Sequence, residues 1–423
     1  MKKLQPAIII AITIALIVTA AFLSCSQSIE VDAETVPDPQ FSLAAGPYNS
    51  PQDVSFTYPT DPTMIIYYTT DGSDPAISGT RTAYTANSGA TFEVNAVNGT
   101  VTTVRAIATK TSYANSDEVS RRYAIVWKEL TPLDIAISDF GVTVIDSNIY
   151  LIGGFTTVYQ DTVYEYNTIT KDTTEKSATF STARKDTTAI TMNDLIYAFG
   201  GRTSGAALKE LKASNSGISI WTDIDTADFT ARFAMGAGEI ESKVYVVGGR
   251  TVITPATATN ITQVFDIAAA GSDKWSDDDN MAYARYSFGY TVYSKRLYII
   301  GGFTSTSQSS KFEVFDPALS SGSRWSDLDD MPTARSSFGA ATVNGKIYAI
   351  GGATSASTIC DTVEEYDISA SSWALSPKTP MPETRKSFGI AVVNDNIYIL
   401  GGYNASDNAC NTVYIYDPVE DHI

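Results

Sequence analysis

The sequence predicts an all-β chain: a six-bladed β-propeller preceded by a small β-sandwich. Three observations carry this. Gly-Gly pairs recur at Gly153, Gly200, Gly248, Gly301, Gly351 and Gly401, at intervals of 47, 48, 53, 50 and 50 residues, a period that marks one supersecondary unit repeated. Each pair is preceded three residues upstream by tyrosine: Tyr150, Tyr197, Tyr245, Tyr298, Tyr348 and Tyr398. The residues between successive pairs hold the signals of four short strands, and four strands per unit repeated six times is a propeller.

Within a unit, an apolar run such as Gly339-Ala340-Ala341-Thr342-Val343 leads through a turn-prone dipeptide, here Asn344-Gly345, into Ile347-Tyr348-Ala349-Ile350 and the glycines. Two such runs around such a dipeptide form a tight hairpin. After the glycines a polar loop of variable length leads to a third strand ending in an aromatic residue and an Asp or Asn: Tyr166-Asn167, Phe265-Asp266, Phe315-Asp316, Tyr366-Asp367 and Tyr416-Asp417. A fourth segment carries Trp221, Trp275, Trp325 or Trp373, with an arginine about ten residues later. In its diglycines, spaced aromatics and tryptophans the segment from Ile125 to Pro418 resembles the kelch repeat family. Glycine at the end of the second strand is read as structural, because it permits positive φ and close approach of neighbouring sheets.

The sixth unit runs out at Ile423 before a tryptophan strand. Ala124-Ile125-Val126-Trp127 has the missing character, and Trp127 precedes Ile137 by ten residues as Trp325 precedes Arg335. A strand at 124–129 is therefore expected to complete the sixth blade and leave no unpaired seam, with the propeller occupying 124–418.

Lys2-Lys3 followed by the apolar stretch Ala7 to Leu23 reads as an export signal over residues 1–25. Phe22-Leu23-Ser24-Cys25 resembles a bacterial lipobox, which implies lipidation of Cys25 and a protein tethered to the cell envelope; phenylalanine where that motif usually has leucine is a departure. Residues 26–37 read as a flexible tether, punctuated by Pro37. Residues 38–123 form a separate all-β unit, in which a strand-forming run, Ile66-Tyr67-Tyr68-Thr69-Thr70, enters Asp71-Gly72, a hairpin signal. With Val104 to Ala108 and Ser116 to Ser120, this unit resembles the immunoglobulin-like C-terminal module of chitobiases and β-hexosaminidases. That resemblance implies an accessory sandwich without catalytic residues.

Composition excludes several functions. Lys and Arg number 29 against 47 Asp and Glu, for a net charge of -18; such a chain repels a phosphate backbone, so nucleic-acid binding is not expected. The one histidine, His422, is penultimate and expected to be disordered. That leaves no Ser-His triad, no histidine-based zinc site and no copper centre, and no cofactor motif is present. Asp277-Asp278-Asp279 and Asp329-Asp330 lack the alternating spacing of a calcium loop and read as solvated turns, so no metal is expected. Cys360 and Cys410 occupy matching positions in adjacent units. At that radius they stand beyond disulfide reach unless both loops lean inward, yet an oxidising compartment leaves a bridge possible.

One repeated feature has chemical promise. Arg184, Arg232, Arg285, Arg335 and Arg385 each stand four residues before the small residue that opens an inner strand, while the first unit has Ile137 there. Two readings stay open. The guanidinium groups gather at one mouth of the central channel and bind an anion; or each pairs with a nearby carboxylate or carbonyl and locks the blades. Phe288, Phe338 and Phe388 read as core. The Ser/Thr-rich loops Thr304 to Ser310 and Thr354 to Thr358 are candidate recognition loops.

The expected function is an envelope-anchored, non-catalytic, monomeric binding protein that engages a protein or glycan ligand, an anionic one if the arginines serve it. The alternatives are a sugar-acid mutarotase, which some exported kelch propellers resemble, and a structural envelope component.

Overall fold

In the computed structural model, the described residues are 34–57, 61–85, 90–95, 101–224, 226–269 and 274–422. The export signal and Cys25 lie outside them. Among the described residues no helix is long and apolar enough to cross a membrane, and the sole helix is a 3-10 turn at Glu420–His422.

Six antiparallel four-stranded sheets make the blades. Blade 1 is Gly141–Ile145, Asn148–Ile152, Val163–Asn167 and Thr173–Glu175; blade 2 is Thr188–Met192, Leu195–Phe199, Leu211–Asn215 and Thr222–Ile224. Blade 3 is Gly236–Ile240, Lys243–Val247, Thr262–Asp266 and Trp275–Asp277; blade 4 is Gly289–Tyr293, Arg296–Ile300, Phe312–Phe315 and Trp325–Leu328. Blade 5 is Gly339–Val343, Lys346–Ile350, Val363–Asp367 and Ser372–Trp373. Blade 6 takes Gly389–Val393, Asn396–Leu400 and Val413–Tyr416 from the C-terminal end, and Trp127–Leu130 from before blade 1. Trp127 pairs with Tyr416 and Leu130 with Val413, which closes the ring. The closing strand starts three residues later than the sequence suggests, because Ala124 and Ile125 belong to the Val119–Ile125 strand of another sheet.

The diglycines are the joints of this ring. The second glycine N–H donates to the carbonyl of the residue at the arginine position of the next blade: Gly154 to Arg184 (2.8 Å), Gly302 to Arg335 (2.9 Å), Gly352 to Arg385 (2.8 Å) and, across the closure, Gly402 to Ile137 (2.8 Å). The first glycine sits against the same carbonyl. A Cβ on Gly351, whose φ is +63°, would lie 2.7 Å from the Arg385 oxygen. Aromatic residues fill the remaining gap, Phe338 packing where a Cβ on Gly289 would be and Phe388 where one on Gly339 would be.

Tryptophans fasten the outer edges. Trp325 Nε1 donates to Asp279 O (2.7 Å), Trp373 to Asp329 O (2.8 Å) and Trp127 to Thr379 O (3.0 Å), each reaching the turn that follows the preceding blade's outer strand. The aspartate run beside Trp275 shares this work rather than lying in a solvated turn. The Asp278 side chain, 7% exposed, pairs with Arg324. Asp279 accepts from Ser321 Oγ (2.8 Å) and the Gly322 N–H (2.5 Å), and these bonds hold its carboxyl below the usual range. No group of three or more His, Cys, Asp or Glu side chains suited to a metal occurs among the described residues.

Glu420–His422, the last described residues, form a packed 3-10 turn, contrary to expectation. Asp421, 5% exposed, accepts from Thr379 N (3.0 Å), Thr379 Oγ1 (2.5 Å) and Tyr416 Oη (2.5 Å). His422 stands 2.9 Å from Glu365 Oε2 and 2.9 Å from Lys378 Nζ, and burial pushes its pKa down. The 3-10 turn thus ties blade 5 to blade 6.

The smaller unit has a five-stranded sheet in the order Gly46–Tyr48, Val119–Ile125, Thr102–Thr109, Ile65–Thr69, Thr82–Thr85, with the first strand parallel to its neighbour. Two short pairs, Gln40–Phe41 with Phe56–Thr57 and Gln52–Val54 with Phe92–Val94, accompany it. Its core centres on Phe56, which packs against Phe41, Tyr68, Tyr84 and Phe92. The Asp71 loop is a cap: the carboxylate accepts from Ser73 N, Ser73 Oγ and Thr80 Oγ1, which brings it down to about 2.

Candidate binding face

The loops entering the inner strands meet the loops leaving the second strands at one end of the propeller, through six equivalent β-bridges. These are Ser138 with Phe155, Lys185 with Arg202, Phe233 with Arg250, Tyr286 with Phe303, Ser336 with Ala353 and Lys386 with Tyr403.

The five arginines of the repeat do not open onto this face. Arg184, Arg232, Arg285 and Arg335 are 0% exposed and Arg385 is 1% exposed. Each turns into its own blade. Arg285 pairs with Glu313 and donates to Gly301 O (2.7 Å) and Lys311 O (2.6 Å). Arg335 pairs with Glu364 (2.9 Å) and donates to Ala349 O (2.9 Å) and Thr362 O (3.2 Å). Arg232 meets a neutral partner, Gln263 Oε1 (3.1 Å), with Ile261 O (2.9 Å) and Val246 O (3.2 Å). Arg184 pairs with Glu210, and Arg385 with Glu383 (2.7 Å).

Burial dominates the electrostatics here. It pushes Arg232 down to about 9, and lowers Arg285 against the pull of Glu313 while raising Glu313 itself. The partner position, two residues before the third-strand aromatic, holds Gln263, Glu313 and Glu364 in blades 3 to 5. In blade 1 it holds Tyr164, which shares a buried cluster with Ile137. Blade 1 thus lacks both the arginine and an acid, while blades 3 and 6 keep the arginine beside Gln263 and Tyr414. With its carbonyl bound to the preceding blade and its guanidinium to its own, the arginine is a blade lock.

Cys360 and Cys410 are free thiols. Cys360 Sγ rests 3.3 Å from Gly351 O and Cys410 Sγ 3.5 Å from Asn408 O, each within its own blade.

What reaches the face are the residues one and two places beyond the arginine position and the residue just after each diglycine. The second set forms a closed ring of backbone bonds. Asp139 N–H donates to Ser387 O (3.0 Å), Ser387 to Ser337 (2.8 Å), Ser337 to Ser287 (2.7 Å), Ser287 to Ala234 (2.9 Å), Ala234 to Asp186 (2.9 Å) and Asp186 to Asp139 (2.7 Å). All six have φ between 49° and 54°, a region non-glycine residues rarely occupy unless surroundings hold them there. The ring rims a channel cavity of about 670 Å³ walled by inner-strand residues including Val142, Ile190, Tyr290 and Ile390.

Around the ring runs an arc of cations and aromatics. Lys185 Nζ lies 4.9 Å from the Phe155 ring centre. The Arg202 guanidinium lies 5.9 Å from Tyr159 and 5.3 Å from Phe233. The Arg250 guanidinium lies 5.1 Å from the Phe233 ring and 4.8 Å from Tyr286, whose ring centre is 5.5 Å from that of Phe303. Two ring carboxylates hold part of the arc: Asp139 pairs with Lys185 (2.8 Å) and Asp186 with Arg202 (2.6 Å). Burial and the nearby Asp139 raise the Asp186 pKa. Burial lowers Lys185, but Asp139 and Asp186 outweigh it and the ammonium ends above its ordinary value.

None of these residues stands out in the sequence by type. Their signal is positional: they sit at fixed offsets from the diglycines, where the scaffold repeats and they do not.

The KLHDC2/KLHL20/DRC7 Kelch-repeats domain family matches residues 234–422, the Kelch motif matches 136–172, and the chitobiase/beta-hexosaminidase C-terminal domain matches 43–121. Kelch-like protein 23 of Homo sapiens is 26% identical over 199 residues, covering 43% of this chain and 34% of that protein. Kelch-like protein 40 of Xenopus tropicalis is 28% identical over 193 residues, covering 44% of this chain and 30% of that protein. The chain thus spans about a third of the length of these relatives. A solved structure titled "Structure of YjhT" superposes with a TM-score of 0.59 at 13% identity, over 67% of this chain and 95% of that one, a likeness of fold. The chain is a kelch-repeat β-propeller protein that carries a domain of the chitobiase/β-hexosaminidase C-terminal family.

Proposed function

We propose that the chain is an envelope-anchored, non-catalytic binding protein that presents the loop face of its propeller to a protein or glycan ligand. Kelch repeats generally serve protein binding, and a repeat scaffold places its recognition residues on loops held by rigid strands. One observation carries the reading: the arc from Phe155 to Phe303 places Lys, Arg, Tyr and Phe at six-fold equivalent positions that the scaffold leaves free to vary. Arginine and large aromatics dominate interface energetics because they give much contact area for little lost freedom. The anchor rests on Lys2-Lys3, the apolar stretch and Cys25.

The test is binding of the full chain to protein and glycan arrays, compared with Arg202→Ala and Tyr286→Ala variants that melt normally. Binding lost in both variants supports the reading; binding indifferent to both refutes it. Incorporation of labelled palmitate, lost in Cys25→Ser, checks the anchor.

A further inference from the structure

Of the four cations at the bridge positions, three have a carboxylate of their own: Lys185 has Asp139, Arg202 has Asp186 and Lys386 has Asp407 at 2.6 Å. Arg250 has none among the described residues. Its Nη2 donates to Ile253 O within its own loop, and its guanidinium is held between the Phe233 and Tyr286 rings.

The loop that carries it is peculiar to blade 3. Arg250–Val252 and Thr257–Ala258 form an extra hairpin with a bulge, which accounts for the longest diglycine interval, 53 residues from Gly248 to Gly301. The Ala258 N–H donates to Ser305 Oγ, joining this hairpin to the recognition loop of blade 4 (3.1 Å). A half-buried guanidinium fixed in place and lacking a counter-charge among the described residues is an electrostatic deficit that an incoming carboxylate fills. Its rigid fork suits that group.

Resting on the binding reading above, we propose that blades 3 and 4 carry an off-axis carboxylate subsite with Arg250 as its anchor, and that it takes an acidic side chain of a protein partner. A sugar ring needs an open aromatic face to stack upon. Phe233 is 2% exposed with guanidinium groups at both Arg202 and Arg250 within stacking distance, and Tyr286 is flanked by Arg250 and Phe303. Blade 5 beside them is small and closed at its bridge, with Ser336 6% and Ala353 7% exposed, and across the face in blade 6 Lys386 is already paired with Asp407. Contact therefore centres over blades 2 to 4 rather than over the channel.

The experiment is an arrayed library of dodecapeptides of varied Asp and Glu content, each paired with its Asn/Gln counterpart. It is read with the full chain beside a glycan array containing sialylated and uronate sugars. The variants are Arg250→Gln, Arg250→Lys and, as a charge-matched control, Lys295→Gln in an exposed hairpin turn outside the face. The expected result is binding to acidic peptides that falls about tenfold to a hundredfold with the Asn/Gln peptides and with Arg250→Gln, less with Arg250→Lys, and not with Lys295→Gln, at unchanged melting temperature. Peptide binding indifferent to Arg250→Gln overturns the subsite and leaves the binding face standing. Binding confined to glycans overturns the choice of partner. Failure of every probe counts against the binding face and, with it, the subsite.

Discussion

Replacing Arg285 tests whether the repeated arginine is a lock. In blade 4 both members of the pair are sealed from water, the Arg285 side chain at 0% and Glu313 at 1% exposure. Arg285→Ile removes the cation but leaves the carboxylate, whose remaining bond is from the Ala282 N–H (2.7 Å), and strips a donor from Gly301 O and Lys311 O. Removing one partner of a buried ion pair costs about 3–5 kcal/mol, since an uncompensated charge stays behind. At roughly 2–4 °C per kcal/mol for a large domain, the melting temperature should drop by roughly 6–20 °C. Blade 1 indicates the repair. There Ile137 and Tyr164 fill the same two positions with no charge, so Arg285→Ile with Glu313→Tyr should recover more than half of the loss, as apolar replacement of a whole buried pair usually does. Thermal melts of the two single variants and the double variant form a cycle. A single variant that melts like the parent, or a double variant no better than the single, refutes the lock.

Three further outcomes are expected. Gly351→Ala drives a Cβ to 2.7 Å from both Arg385 O and Met381 Cε at φ +63°, whereas Gly322→Ala at φ +86° meets nothing within 4 Å; denaturant midpoints should show a loss of about 3 kcal/mol or more for the first and about 1 kcal/mol for the second. Asp421→Ala leaves the buried Tyr416 hydroxyl without its acceptor and frees Thr379, for a loss of about 2–4 kcal/mol, with faster hydrogen exchange along the Trp127–Leu130 strand; unchanged exchange there counts against the terminal clasp. Asp186 binds its proton more tightly folded than unfolded, so its contribution is present at low pH and declines as pH rises from about 4 through its raised value; Asp186→Asn should flatten that part of the stability profile, and an identical profile contradicts the assignment.

The repeat was legible because its diglycines do one backbone job six times. Glycines at 153 to 402 and tryptophans at 127 to 373 are constrained by contacts between neighbouring blades, so their spacing survives in the text of the chain. The arginines show the limit of spacing. It places their Cα atoms beside the channel mouth, but the side chain turns into its own blade, in blades 4 and 5 to an acid on the third strand, and the contrast of Arg285 and Glu313 with Ile137 and Tyr164 reveals it. Asp279 and Asp421 look like solvated acids, yet both accept bonds from groups distant in sequence, Ser321 and Thr379. The face residues were missed for the opposite reason: Arg202, Arg250 and Tyr286 follow no repeated type, and their neighbours come from other blades.

The ring at Asp139, Asp186, Ala234, Ser287, Ser337 and Ser387 has a further consequence. Every member gives one backbone bond and takes one, so the circle has no first or last member. Because main chain alone makes the circle, the six side chains that rim it carry no share of its closure. They behave as a six-letter inscription on a fixed collar, currently Asp, Asp, Ala, Ser, Ser, Ser. At Ala234, Ser287, Ser337 and Ser387 the opening can be rewritten without rebuilding the molecule beneath it, whereas Asp139 and Asp186 also hold Lys185 and Arg202.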